Sequence, residues 1–199
     1  MSSSVPVVSL ADAVSTIRSG VHFRGSPPTT PNGEVRLIRL RYVEYESATI
    51  RWEDCPRVAD ENAPSQRLRK GDILLPRRGQ NRVAFWIDTL PGPAIADAPF
   101  FVLQANPKHA DPAFLAWQMN EPRAQHWLDR HAQGSGLSML RQADLERLPL
   151  ALPDRDTQQR LTDVHRLLRR EQKLLRELHT QHERLARGLL HQYTTPNES

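Results

Sequence analysis

The chain of 199 residues predicts an α+β fold: a compact mixed domain followed by one long C-terminal coiled-coil helix. Three observations lead there. Up to Pro153, short apolar runs are punctuated by proline and glycine, the pattern of many short strands and two or three helices. Strand-like and helix-like runs interleave irregularly, which argues against a doubly wound sheet. From Thr157 to Gln192 there is no proline, and Gly188 is the one glycine, so this stretch reads as a single helix. The expected division is a domain over 1–153, a long helix over 154–192 and a disordered tail over 193–199.

Each element follows from local pattern. "VSLADAVSTIRSGVHF" predicts a helix from Leu10 to Ile17 ended by Gly20. "EVRLIRLRYVEY" predicts a strand, with Ile38, Leu40 and Tyr42 on one face and Arg39 and Arg41 mixed into the other. "ATIRWE" predicts a further short strand. Ile73 to Leu75 and Val83 to Ile87 form a strand pair, and "PFFVLQA" another strand. "DPAFLAWQMNEPRAQHWLDRHA" is a helix pair or a broken helix, because Pro112 suits a first turn and Pro122 forces a restart. "SMLRQADLERLPLALP" closes with a short helix and a strand. Trp52, Trp86, Trp117 and Trp127 are expected in the core rather than as stacking platforms.

In the long helix, Asp156 is the expected N-cap with Gln159 three residues on. Leu161, Val164, Leu168, Glu171, Leu175, Leu178, His182, Leu185 and Leu189 recur at alternating steps of three and four. Seven of these nine are apolar, which is a heptad seam, and Leu167 and Leu174 widen it. Some 36 residues extend roughly 50 Å as a helix, and so long an apolar stripe calls for a partner helix. A terminal helix folded wholly onto its own domain is the plainer alternative.

Composition narrows the function. Apolar residues make up 38% and charged residues 25%, enough for a packed core, and no apolar run approaches the ~18 residues that span a bilayer. The N-terminus shows no secretory pattern, and the single cysteine, Cys55, allows no internal disulfide. A cytoplasmic protein without membrane contact is expected. Eight basic and four acidic residues between Thr157 and Gln192 carry the whole net charge of +4, and the remaining 19 of each sign cancel. Any nucleic-acid contact must come from local clusters rather than bulk charge.

Enzyme patterns fail on geometry. Pro153-Asp154 with Glu171 and Lys173 mimics a metal-nuclease motif, but residues two apart in a helix point to different faces. "HERLA" at 182–186 lacks the second histidine of a zinc-protease helix, and His179 with His182 reads as a solvated pair. Gly134-Ser135-Gly136 is neither a phosphate loop nor a nucleophile elbow. Asp72 has no second carboxylate nearby, so it is expected to hold a turn or pair with an arginine. No catalytic residue, metal site or cofactor is expected.

The ordered set "LADAVSTIRSGVHFRG", "VRLIRLRYV", "LRKGDILLPRRGQNRVAF", "DPAFLAWQMN", "GSGLSMLRQADLERLPLALPDRDTQQRL" and the final leucine-rich helix resembles the specificity subunit of type I restriction-modification systems. It resembles a short form of that subunit, with one target-recognition domain and one spacer helix, over about Leu10 to Leu190. The resemblance implies a non-catalytic reader of double-stranded DNA. Its partners would be an adenine-N6 DNA methyltransferase subunit and a restriction/translocase subunit. One recognition domain would read half of a split site. Either two copies pair as a homodimer through Leu161, Val164, Leu168, Leu175, Leu178, Leu185 and Leu189, giving a palindromic site, or another partner supplies the other half.

Arg, Asn and Gln pair bidentately with base edges in the major groove. Arg77, Arg78, Gln80, Asn81 and Arg82 form the densest such cluster, either touching DNA or forming a solvated hairpin tip. Ser135, Ser138 and Arg141 form a second candidate set for phosphate contacts. Arg24 and Ser26 lie in a Pro/Thr-rich loop that either faces DNA or merely connects. The rival functions are a free-standing DNA-binding dimer, a coiled-coil adaptor without a methyltransferase partner, and the metal nuclease.

Overall fold

In chain order the elements are β1 (Val7–Ser9), α1 (Leu10–Ala13), β2 (Val14–Ser19), β3 (Val35–Ile38), β4 (Val43–Glu44), β5 (Thr49–Ile50) and β6 (Arg57–Val58). There follow β7 (Ile73–Pro76), β8 (Phe85–Trp86), β9 (Ala94–Ala96), β10 (Phe100–Ala105), α2 (Pro112–Asn120), α3 (Pro122–His131), α4 (Gln142–Leu145), β11 (Pro149–Ala151) and α5 (Arg155–Thr194). The computed structural model describes residues 5–59, 66–134 and 138–194. Ser135 and the expected tail beyond Thr194 lie outside the described residues. The chain divides into two units, Met1–Thr162 and Asp163–Ser199.

The main sheet of the first unit has the order β2-β10-β7-β8 and is antiparallel throughout. Its middle strands are buried on both faces, which is why Ile73-Leu74-Leu75 and Phe100 to Leu103 read as unbroken apolar runs instead of alternating. Ile73, Leu75, Phe101 and Leu103 pack towards Leu115, Met119, Leu128 and Leu145 of the helical layer. Leu74, Phe85, Phe100 and Val102 face Ile38, Val43, Leu68 and Ala96 on the other side. A second sheet, β6-β3-β9, pairs β3 antiparallel with β6 and parallel with β9, over a small core of Val35, Leu37, Val58 and Ile95. β1 pairs with β11, closing the unit's two chain ends onto one another, and β4 with β5 form a hairpin.

Two expected elements change. The helix from Leu10 is one turn long, started by a reciprocal Ser9–Asp12 capping box, and at Val14 the chain becomes β2. Val14, Thr16 and Ile17 are β-branched and stiff in a helix, and pairing with β10 from Ser19↔Phe101 to Val14↔Ala105 outweighs one-sided periodicity. Gly20 then permits the strand to pass the Asp97 carbonyl, where an added Cβ would stand 2.2 Å from the oxygen. The strand expected over "EVRLIRLRYVEY" stops at Ile38, where Arg39 pairs with Asp97 at 3.1 Å and Leu40–Tyr42 turns as a 3-10 helix.

Two further strands are shorter than expected: "ATIRWE" keeps only Thr49–Ile50 before a 3-10 turn at Trp52–Asp54, and Val83 to Ile87 keeps only Phe85–Trp86. β7 and β8 pair as a short hairpin with Leu74↔Phe85, and Pro112 and Pro122 each open a helix. Asp72 is 2% exposed, accepts the Arg69 N–H at 2.9 Å and the Gln104 amide at 3.1 Å, and lies 3.9 Å from Arg18. It closes the turn entering β7, a structural carboxylate. All four tryptophans are half-buried, with Trp86 and Trp127 packed on the helical-side core and Trp52 on the opposite one.

α5 is one helix of 40 residues, about 60 Å long. Its N-cap is Asp154, not Asp156: the Asp154 carboxylate accepts the Thr157 N–H and hydroxyl, each at 2.9 Å. Those two bonds hold its carboxyl below the usual range. Asp156 falls instead within the first turn, where a negative charge suits the helix dipole. Leu161, Val164, Leu167, Leu168, Leu174, Leu175, Leu178, Leu185 and Leu189 are between 39% and 67% exposed, so the apolar stripe is open along its length. Among the described residues no helix is long and apolar enough to cross a membrane.

Candidate nucleic-acid interface

The loop at Arg77 to Arg82 and the described part of the second polar cluster, Ser138 to Arg141, meet in space. The segment between β7 and β8 lies against the segment between α3 and α4, joined by backbone bonds from Leu140 N to Arg77 O (2.8 Å) and Gly79 N to Ser138 O (3.2 Å). Arg78 bridges to Met139, which also bridges to Gln133. Gly79 turns here with φ of +98° and open space around its Cα, a conformation other residues adopt only with strain.

What holds the loops is Arg82. Its side chain is 2% exposed; Nη1 donates to Asp129 Oδ1 at 2.7 Å and Nη2 to Ser138 Oγ at 2.5 Å. Ser138 Oγ in turn donates to the Gly79 carbonyl at 3.1 Å. The backbone beyond is fixed by amide side chains of the helical layer. Asn120 pairs with both the N–H (2.7 Å) and the C=O (2.9 Å) of Ala84, as a strand neighbour would, and Gln125 donates to the Arg82 carbonyl at 3.0 Å. Arg82, expected as a DNA contact, is thus buried in a strut beneath the loops, and the hydroxyl of Ser138 is engaged with the Gly79 carbonyl and the Arg82 guanidinium.

Arg77 also departs from the expected loop tip. It turns back over the sheet, with its guanidinium 4.9 Å from the Phe101 ring centroid and Nη1 donating to Ser19 Oγ at 3.1 Å. That leaves Arg78, Gln80 and Asn81 as the exposed members of the first loop, with Arg141 exposed just after Leu140 on the second. A guanidinium carries fixed forked donors, and each carboxamide carries donor and acceptor side by side, the geometry that reads guanine and adenine edges. Arg141 adds a cation suited to phosphate. Ser135 lies outside the described residues.

Arg24 and Ser26 are exposed but belong elsewhere in the unit. Their loop is anchored by Phe23 on the β6-β3-β9 core and by the Thr29–Val58 bridge. The positioning residues Asn120, Gln125 and Asp129 escape sequence reading, because nothing in a helix's own pattern says which loop its polar face will meet. Gln158 escapes likewise. Fully buried, it accepts from Asp111 N at 2.8 Å and donates to the carbonyls of His109 (2.9 Å) and Pro153 (2.8 Å), tying the first turn of α5 to the N-cap of α2. Among the described residues no group of three or more metal-ligating side chains comes together.

No protein-family model and no curated protein matches the chain. Solved structures do. The S subunit of a type I restriction-modification system from M. genitalium superposes with a TM-score of 0.63 at 13% identity, covering 97% of this chain and 46% of that one. The HsdS subunit from Thermoanaerobacter tengcongensis gives a TM-score of 0.67 at 17% identity, covering 98% and 50%. A chain from a structure on complex assembly and conformational transition of the type I R-M system gives the same figures. The architecture is thus a mixed sheet-and-helix domain followed by a long C-terminal helix, as in those chains. More particularly, it is an S-subunit-like fold, and the chain spans about half the length of the solved chains it matches.

Proposed function

We propose that the chain is a sequence-specific DNA recognition subunit of a type I-like restriction-modification or DNA-methylation complex, directing an adenine-N6 methyltransferase subunit to its target. The observation that carries this reading is the S-subunit-like fold over 97–98% of the chain. The paired loops support it, since Arg78, Gln80, Asn81 and Arg141 are held outwards by a buried strut. In this reading the chain carries no catalysis of its own, acts in the cytoplasm, and pairs with a second copy through the open leucine stripe of α5 to read a split palindromic site.

Co-expression with an adenine-N6 methyltransferase tests it. Co-purification together with N6-methyladenine at one split sequence, lost on removing this chain, is the expected result. Failure to associate with any such subunit, with no sequence-dependent DNA binding, would overturn it.

A further inference from the structure

The outer face of α3 carries charge that its packing does not use. Arg123, His126 and Arg130 recur at steps of three and four, so they share one side of the helix, and all three are exposed. The opposite side is packed through Ala124 and Leu128. Asp129, the one carboxylate within the helix, is already held by Arg82 at 2.7 Å. Among the described residues neither Arg123 nor Arg130 meets a carboxylate within 4 Å. His126 between them adds no negative charge.

This stripe is continuous with the two loops. Asp129 ties the C-terminal half of α3 to Arg82, and just beyond the helix Gln133 bridges to Met139, which bridges to Arg78. Arg78 and Arg141 are exposed and likewise meet no carboxylate among the described residues. Outside 157–192 the chain's charges cancel, 19 against 19, so four unpaired arginines on one surface reflect segregation of charge and not its general level. From Arg130 the stripe runs back along α3, away from the loops, to Arg123, which borders a cavity with Trp117, Pro149 and Ala151.

We propose that Arg123 and Arg130 grip the sugar–phosphate backbone of the duplex beside the bases that the loops read, whatever the sequence there. The inference rests on the DNA reading proposed above and adds a second region of contact to it. Seven residues of helix rise about 10 Å, the length of about three base pairs. Phosphate suits this face because no ion pair has to break before the arginines exchange water and counterions for a fixed anion. Continuity with the loops favours DNA over an acidic protein, since a duplex held at the loops is stiff enough to run on past them.

The test uses the full chain assembled with its methyltransferase subunit and two duplexes of equal length, one carrying the methylated sequence and one scrambled. Arg123→Gln with Arg130→Gln changes exposed side chains and should leave Tm in place. It should weaken binding to both duplexes alike, roughly tenfold per contact at about 0.1 M salt, and lower the salt slope by about two. Arg123→Lys with Arg130→Lys should restore the slope, because phosphate accepts a point charge where a base edge needs the guanidinium fork. Neutral methylphosphonate linkages in the flank should weaken the unmutated complex equally and add nothing to the loss in the glutamine variant. An unchanged salt slope, a loss confined to one duplex, or no rescue by lysine would overturn the backbone grip and leave the DNA reading intact. Loss of the methyltransferase subunit from the glutamine variant, with DNA binding kept, would do the same and mark the face as a protein dock. An unmutated complex that binds neither duplex would overturn both.

Discussion

Arg82 and Asp129 meet at 2.7 Å with unequal burial: the arginine side chain is 2% exposed and the aspartate 57%. The asymmetry predicts which partner matters more. Removing Asp129 leaves a guanidinium buried with Ser138 as its remaining side-chain partner, whereas removing Arg82 leaves a carboxylate free to hydrate. Asp129→Ala is expected to cost about 2–3 kcal/mol, and Arg82→Leu less, about 1–2 kcal/mol. Urea denaturation of both variants checks the order; equal costs would count against the strut.

The exposed loop residues should behave in the opposite way. Arg78→Ala, Gln80→Ala and Asn81→Ala change exposed side chains, so Tm should stay within about a degree or two. In the assembled complex, each amide or guanidinium lost from a base edge should cost about 1–3 kcal/mol of discrimination. Arg141→Ala should weaken all sequences alike and lower the salt slope of binding by about one. Titration of specific and scrambled duplexes over a range of salt separates the two outcomes.

Gln158→Ala would strand three backbone groups at once, the Asp111 N–H and the carbonyls of His109 and Pro153. A loss of about 2–4 kcal/mol is expected. Gln158→Glu should be worse, because a carboxylate keeps the bond to Asp111 but repels the two carbonyls. Thermal unfolding followed at 222 nm measures both.

Two groups tie stability to pH at opposite ends. Burial pushes the Cys55 thiol up to about 11, so its thiolate forms more readily in the unfolded chain. The corresponding stability is complete below the ordinary thiol value near 9 and drains away as pH rises towards 11. At pH 8 the native chain should react with a thiol reagent far more slowly than the chain in urea. Asp154 works in reverse. Its lowered value means the cap is intact above the ordinary carboxylate range near 4 and is lost as pH falls through the folded value. Asp154→Ala should remove that acid-side dependence in a pH series of Tm.

The sequence by itself determined the long helix, its open seam, the two proline-started helices and the β7–β8 hairpin. Each of those is set by local rules: period, proline at the first turn, or apolar runs bounded by glycine. It also marked both polar loops from composition alone. Only the tertiary structure decided that β2 is a strand, because its β-branched residues gain more by pairing with β10 than by extending one helical turn. Only packing decided the roles within "PRRGQNRVAF". Identical side chains at 77, 78 and 82 became a cover over Phe101, an exposed donor and a buried strut, according to whether Ser19, solvent or Asp129 stood opposite. Composition names the donors a loop carries; the neighbours brought in from α3 and the following loop decide which of them are left to spend.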